Sequence, residues 1–106
     1  MARFWGPAAA IYLASAAAAL ADSSSFSYEL GLIVGSAGVC GYTLDEDAVS
    51  DYVAQNVPAT DLRFASNFQM HVGYHRSEAE KLAPLELRIH CEAAKRSAEH
   101  LKLLRP

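Results

Sequence analysis

The sequence lacks the short motifs that identify most enzymes and cofactor proteins. It has no G-x-S-x-G nucleophile elbow, no assignable Ser/His/Asp set, no H-E-x-x-H pair and no glycine-rich loop followed by Lys-Ser or Lys-Thr. About 85 residues remain after the first 21, which allows one small domain with little volume for a substrate pocket. We therefore expect a non-enzymatic protein without a cofactor.

Basic residues are missing from a long part of the chain. After Arg3, the first Lys or Arg is Arg63, and seven carboxylates between Asp22 and Asp61 precede it. Eight basic residues, five acidic ones and all four histidines follow from Arg63 onward. The net negative charge argues against nucleic acid as a partner. The separation of charge is compatible with docking on a charged partner, or with packing between the two halves of the domain.

The apolar run over residues 8–20 is too short to span a membrane, because it has about 13 residues where about 20 are needed. Arg3 precedes the run, and residues 19–21 have the small-x-small pattern of a signal-peptidase site. An uncleaved anchor is the alternative interpretation. The sequence thus predicts a signal peptide over 1–21, and we expect a periplasmic or secreted protein with no stable membrane span after cleavage.

The predicted mature chain begins with a serine-rich segment over 22–27, which we expect to be disordered, and continues as one helical domain over 28–106. It contains two cysteines, Cys40 and Cys91, and no C-x-x-C pair. An even number of cysteines in an oxidising compartment predicts a disulfide, whereas a reactive or metal-bound thiol is the alternative. The bridge would close a loop of about 50 residues and add about 4 kcal/mol of stability.

Apolar periodicity and capping signals predict an all-α fold, a small three- or four-helix bundle. Periodicity alone does not separate a helix from a buried strand in the first segment, which we interpret as a helix that ends near Gly41. Its glycines share a helical face that another helix can approach closely. Thr43 and Glu46 form a capping box at the start of the second helix, which ends at Asn56 before Pro58. The glycines on that face of the first helix are Gly31, Gly35 and Gly38.

The third helix is predicted to begin at a cap formed by Thr60 or Asp61, to weaken at Gly73 and to end or bend at Ser77. Its predicted buried face consists of Leu62, Phe64, Ala65, Phe68 and Val72.

Ser77 and Glu80 form another capping box, so the last helix is predicted from Glu78, with Pro84 either kinking it or marking its true start. Its predicted buried stripe is Leu87, Cys91, Ala94, Ala98, Leu101 and Leu104.

The histidines give the most specific functional hypothesis. His71 and His75 are four residues apart and share a face of the predicted third helix, which is the spacing from which helices chelate zinc or copper. Glu78 could be a third ligand, while nothing fixes a fourth. A response to pH is a second hypothesis, to which His90 and His100 would contribute. The alternative to both is exposed or capping histidines without a role.

Three short features occur together: Cys40-Gly41, Phe64-Ala65 opening a helix, and His90-Cys91 followed by small residues. In this combination the chain resembles small exported proteobacterial proteins that have a signal peptide, a helical body and no assigned function. Its layout also looks like that of the acid-stress periplasmic chaperones, which are similar in size, helical and closed by one disulfide. That second resemblance implies the architecture alone. The small residues of the third feature are Ala94 and Ala98.

We therefore expect an exported, non-enzymatic accessory or protein-binding domain, stress-related or chaperone-like, whose partner is another exported protein. The alternative is a periplasmic zinc- or copper-binding protein that uses His71 and His75.

Overall fold

The computed structural model describes residues 25–106, in which four α-helices are joined by short connections. They are α1 over 25–40, α2 over Glu46–Asn56, α3 over Phe64–Glu80 and α4 over Pro84–His100. The predicted helical bundle is thus confirmed. Residues 25–27 lie in α1, which corrects the prediction of disorder for that part of 22–27. The predicted signal peptide over 1–21 lies outside the described residues.

The disulfide between Cys40 and Cys91 is confirmed. It joins the last residue of α1 to the middle of α4, with Cα atoms 5.2 Å apart. The sequence separation is 51 residues, so α2 and α3 lie between the two cysteines along the chain. Within the described residues, no helix has the length and apolar character required to cross a bilayer.

α1 is the central helix and packs against the other three. Its residues Leu30 and Ile33 are 1% and 2% exposed and belong to the main apolar core. Phe26 stacks its ring obliquely on Tyr52 of α2, with centroids 5.0 Å apart. The disulfide holds α4 against the C-terminal end of α1. The remaining core residues come from α3, from α4 and from the segments that follow α1 and α4, and are Tyr42, Phe64, Ala94, Ala98 and Leu103.

Two glycines set the distance between α1 and α3. A Cβ atom at Gly31 would lie 2.5 Å from the His71 Cβ, and one at Gly35 would lie 2.5 Å from the carbonyl oxygen of Val72. Side chains at these positions would force the helices apart, because real Cβ contacts are not that short. The predicted close approach is confirmed for Gly31 and Gly35. It does not extend to Gly38, where a Cβ would meet nothing within 4 Å.

α1 ends at Gly41, as predicted, because that residue has a φ of 73°. The backbone N–H groups of Gly41 and Tyr42 both donate to the carbonyl oxygen of Ala37, at 2.9 and 3.2 Å. The Tyr42 hydroxyl then donates to the carbonyl oxygen of Ile33. Burial raises the pKa of Tyr42 to about 12, so this hydroxyl remains a donor at physiological pH.

α2 begins two residues later than the capping box of Thr43 and Glu46 predicts. Its N-cap is Asp45, whose carboxylate accepts a hydrogen bond from the N–H of Ala48 at 3.1 Å. The predicted cap is therefore wrong, whereas the predicted end at Asn56 is confirmed.

The cause of the late start is the C-terminal tail, which pairs with the segment that precedes α2. The N–H of Arg105 donates to the Thr43 carbonyl at 3.0 Å, and the N–H of Asp45 donates to the Leu103 carbonyl at 2.8 Å. Leu44 and Leu104 thus face each other in an isolated antiparallel bridge. This pairing keeps residues 43–45 extended, so the helix begins after them.

α3 also begins later than predicted, at Phe64, and no side chain caps it. The carboxylate of Asp61 instead accepts a hydrogen bond from the N–H of Arg63 at 3.1 Å, which makes a turn before the helix. α3 continues through Gly73 and Ser77 to Glu80, so the predicted end at Ser77 is wrong. A Cβ at Gly73 would meet no other described residue within 4 Å, so no close packing requires a glycine there. Gly73 lowers the helix propensity of α3 without interrupting the helix.

The buried face of α3 differs from the predicted one. Phe64, His75 and Ala79 are buried, whereas Leu62 precedes the helix and is 90% exposed. Ala65 is also exposed, and the predicted residues Phe68 and Val72 are half-buried. The difference arises because α3 contacts α1 through the turns that carry His71 and His75.

Pro84 is the first residue of α4, so the predicted start at Glu78 is wrong and the proline marks the true start. Ala94 and Ala98 are buried, as predicted. The other α4 positions of the stripe, Leu87 and Cys91, are half-buried.

Candidate functional site

His71, His75 and His90, hereafter the histidine cluster, lie where α3 and α4 meet α1. The Tyr28 ring of α1 contacts two of them edge-on, with centroids 5.3 Å from His71 and 4.6 Å from His75. The ring of Tyr74 contacts His75 in the same manner, at 5.1 Å. The structure therefore brings the two predicted metal-binding residues together beneath one tyrosine.

His75 is the buried member of the cluster. It is 5% exposed, and its Nε2 atom is buried without a hydrogen-bond partner in the described part of the chain. Burial lowers the pKa of His75, the positive charges of His71 and His90 lower it further, and Glu78 opposes them. The neutral form of His75 is therefore favoured in the folded protein.

His90 has a structural partner. Its Nε2 atom shares a hydrogen bond of 2.8 Å with the hydroxyl of Ser36, which is fully buried in α1. His90 directly precedes Cys91, so this bond lies beside the disulfide and helps to hold α4 on α1.

The distance between the rings of His71 and His75 bears on the metal hypothesis. Their centroids are 6.3 Å apart. Two imidazoles that share one tetrahedral zinc ion have centroids about 5 Å apart, given zinc–nitrogen bonds of about 2.0–2.1 Å. The rings would have to approach by about 1 Å to bind the same ion.

The third ligand that we predicted, Glu78, forms an ion pair with Lys81 at 3.7 Å. Residues 25–106 contain no group of three or more His, Cys, Asp or Glu residues placed to hold a metal ion. Metal binding by His71 and His75 stays a prediction.

A second candidate site lies where α1, α2 and α3 meet. It is a surface cavity of about 510 Å³ between α1, α2 and α3, hereafter the α1–α2 groove. Its apolar lining residues pack on the core and remain partly open to solvent, except Tyr42, which is buried. Glu46 is the charged residue among those that line it. The apolar lining residues are Val34, Tyr42, Leu44, Val49 and Phe68, and the polar ones are Thr43, Glu46 and Ser50.

Two further cavities flank Glu29 of α1. One of about 650 Å³ lies between α1 and α4, and Arg96 and His100 line it together with Glu29. The other, of about 400 Å³, lies beside Tyr28 and His71. Charged residues of both signs surround the larger one, whereas a single carboxylate accompanies the apolar lining of the α1–α2 groove.

The sequence did not predict the α1–α2 groove because its residues come from four separate segments of the chain. Val34 and Val49 lie in the first and second predicted helices, but their common surface depends on how α2 folds back on α1. The local signal that could have found it is the short apolar segment between α1 and α2, around Leu44.

Comparison of the chain with protein-family models, curated proteins and solved structures finds no match.

Proposed function

We propose that this protein is an exported, non-enzymatic accessory domain that binds another exported protein, in a chaperone-like or similar supporting role. The observation that carries the proposal is the α1–α2 groove. Its apolar side chains Val34, Leu44, Val49 and Phe68 are half-buried, so they already have a fixed position on the core and still present surface to a partner. Contact surfaces of this kind bind with little ordering cost.

The disulfide supports export. An intrachain bridge persists in oxidising compartments and is rare in the cytosol, which accords with a periplasmic or secreted location. The predicted signal peptide over 1–21 supports the same location.

Site-specific photo-crosslinking tests the proposal. A photoreactive amino acid in place of Ser50, at the exposed edge of the groove, is expected to crosslink a defined protein in cells that export the chain. The matched control carries the same amino acid at Lys95, an exposed position on α4 that does not line the groove. The crosslinked protein is then purified, and its affinity for the unmodified domain is measured.

The expected result is a product with the Ser50 variant that the Lys95 variant does not give, together with direct binding of the purified pair. If no specific product forms at Ser50 while the variant is folded and exported, the proposed function is wrong.

A second candidate function is the binding of zinc or copper by His71 and His75. The observation that favours it is the buried Nε2 atom of His75, which has no hydrogen-bond partner among residues 25–106 and would gain one bond from a metal ion. Water or a partner would supply the remaining ligands. The rings must first approach each other, and His75 is packed between Tyr28 and Tyr74.

Isothermal titration with Zn²⁺ and Cu²⁺ tests this candidate. A metal site predicts micromolar or tighter binding that the His71→Ala/His75→Ala double variant loses and the His100→Ala control keeps. Weaker binding, or equal binding by both variants, would rule out the site.

A further inference from the structure

We propose that the α1–α2 groove takes a segment of the partner protein in which apolar side chains stand beside Lys or Arg residues. This inference rests on the proposed function and adds the chemical class of the partner's segment. It follows from the charges around the groove, from its apolar lining and from its size.

The charge around the groove is negative. The described chain contains no Lys or Arg before Arg63, so α1 and α2 contribute none. Glu46 lines the groove, and Asp47 and Asp51 lie on the same helix. None of these three carboxylates forms an ion pair with another described residue. A cation supplied by a partner would therefore meet free carboxylates.

Arg105, in the C-terminal tail, is a basic residue whose backbone lies beside the groove. Its backbone N–H donates to the carbonyl of Thr43, whereas its side chain is exposed and is not part of the lining. The guanidinium is thus free to turn to solvent. No Lys or Arg of the described residues lines the groove or forms an ion pair with Glu46, so Glu46 keeps its unneutralised charge at the edge of the groove.

The lining explains why the segment must also be apolar. Five of the eight lining residues are aliphatic or aromatic, and the volume of about 510 Å³ lies within the range of pockets that bury small ligands and side chains. Apolar side chains of the partner would cover Val49 and Phe68. The adjacent positive charges would then reach Glu46 and Asp47, and this charge complementarity would fix the orientation of the segment.

Two fluorescein-labelled peptides provide the test, one made of alternating Leu and Lys and the other of alternating Leu and Glu. Fluorescence anisotropy measures the binding of each to the disulfide-bonded mature domain at low salt. The Leu/Lys peptide is expected to bind and the Leu/Glu peptide is not. Backbone amide shifts in NMR spectra should change around Val34, Leu44 and Val49 as the Leu/Lys peptide is added.

Charge variants locate the interaction. Glu46→Gln/Asp47→Asn is expected to weaken binding of the Leu/Lys peptide about fivefold, since two exposed ion pairs contribute about 0.5 kcal/mol each. The control Glu86→Gln/Glu92→Gln removes the same charge from α4, away from the groove, and should leave binding unchanged. Both double variants change exposed residues, and circular dichroism checks that they fold.

The inference is overturned if both peptides bind equally, if the α4 control weakens binding as much as the groove variant, or if the shift changes fall outside the groove. It also fails if the protein crosslinked at Ser50 contacts the domain through an acidic segment. In that last case the proposed protein-binding function stands, because the partner exists and its chemistry differs. Loss of all crosslinking at Ser50 would contradict the function itself.

Discussion

Replacing Gly35 by Ala tests how α1 and α3 are held together. Two opposing effects decide the outcome. The alanine favours the helix by about 1 kcal/mol. Its methyl group would lie 2.5 Å from the carbonyl oxygen of Val72 and 3.3 Å from the Cβ of His75. The carbonyl belongs to the α3 backbone and cannot rotate away, so the two helices must separate.

Overpacking of this kind costs about 1–3 kcal/mol. The clash at Gly35 is with backbone, which places its cost at the upper end of that range. We therefore expect Gly35→Ala to lower the free energy of unfolding by about 1–2 kcal/mol net of helix propensity. Gly38→Ala makes the same chemical change in the same helix, where the added Cβ would meet no other described residue within 4 Å, and should raise stability by up to about 1 kcal/mol.

Urea denaturation followed by circular dichroism gives both values from the shift in midpoint, provided that the slope with denaturant is unchanged. The two variants should differ by about 2–3 kcal/mol, with Gly35→Ala the less stable. Equal stability, or the opposite order, would refute the role given to Gly35 in the contact between α1 and α3.

Three more predictions concern the disulfide, the α2 cap and the buried histidine. Replacing both Cys40 and Cys91 by Ala should lower the free energy of unfolding by about 4 kcal/mol, given the separation of 51 residues; a thermal midpoint equal to that of the oxidised protein would contradict this. Asp45→Ala should lower the free energy of unfolding, measured by urea denaturation, by about 1 kcal/mol because the N–H of Ala48 loses its acceptor. Thr43→Ala removes no cap and should have a smaller effect. A larger loss in Thr43→Ala than in Asp45→Ala would show that Thr43 caps α2, as the sequence predicts. The folded state lowers the pKa of His75 below 6.5, so the unfolded chain binds this proton more readily. The stability that the neutral His75 contributes is present above pH 6.5 and is lost as the pH falls from 6.5 to the pKa of the folded state. The loss is about 1.36 kcal/mol for each unit by which folding lowers the pKa. His75→Phe should show a smaller loss of stability over that range, and an unchanged pH dependence would contradict the assignment.

Features of the fold that depend on local chemistry were predictable from the sequence. Gly41 ends α1 because a glycine adopts positive φ without strain. Pro84 opens α4, one of the two roles that the sequence allowed it, because its missing N–H is not needed there. The disulfide followed from two cysteines in a chain with a predicted export signal.

Features that depend on distant parts of the chain were not predictable. Thr43 has the residue type of a cap, but the C-terminal tail pairs with it and keeps it extended. His75 is buried because Gly35 lets α1 come close, and a pattern of apolar residues does not show a histidine as part of the core. The α1–α2 groove has the same origin, because Leu44 and Phe68 become neighbours through the packing of three helices.

The position of the disulfide makes the covalent molecule a ring with two tails. Residues 40–91 form the ring, which contains α2 and α3, while most of α1 and the second half of α4 are the tails. The exposed connection between α2 and α3, over 57–63, lies within that ring. A protease that cuts there opens the ring without releasing a fragment. The nicked protein would keep its mass on a non-reducing gel and separate into two chains after reduction.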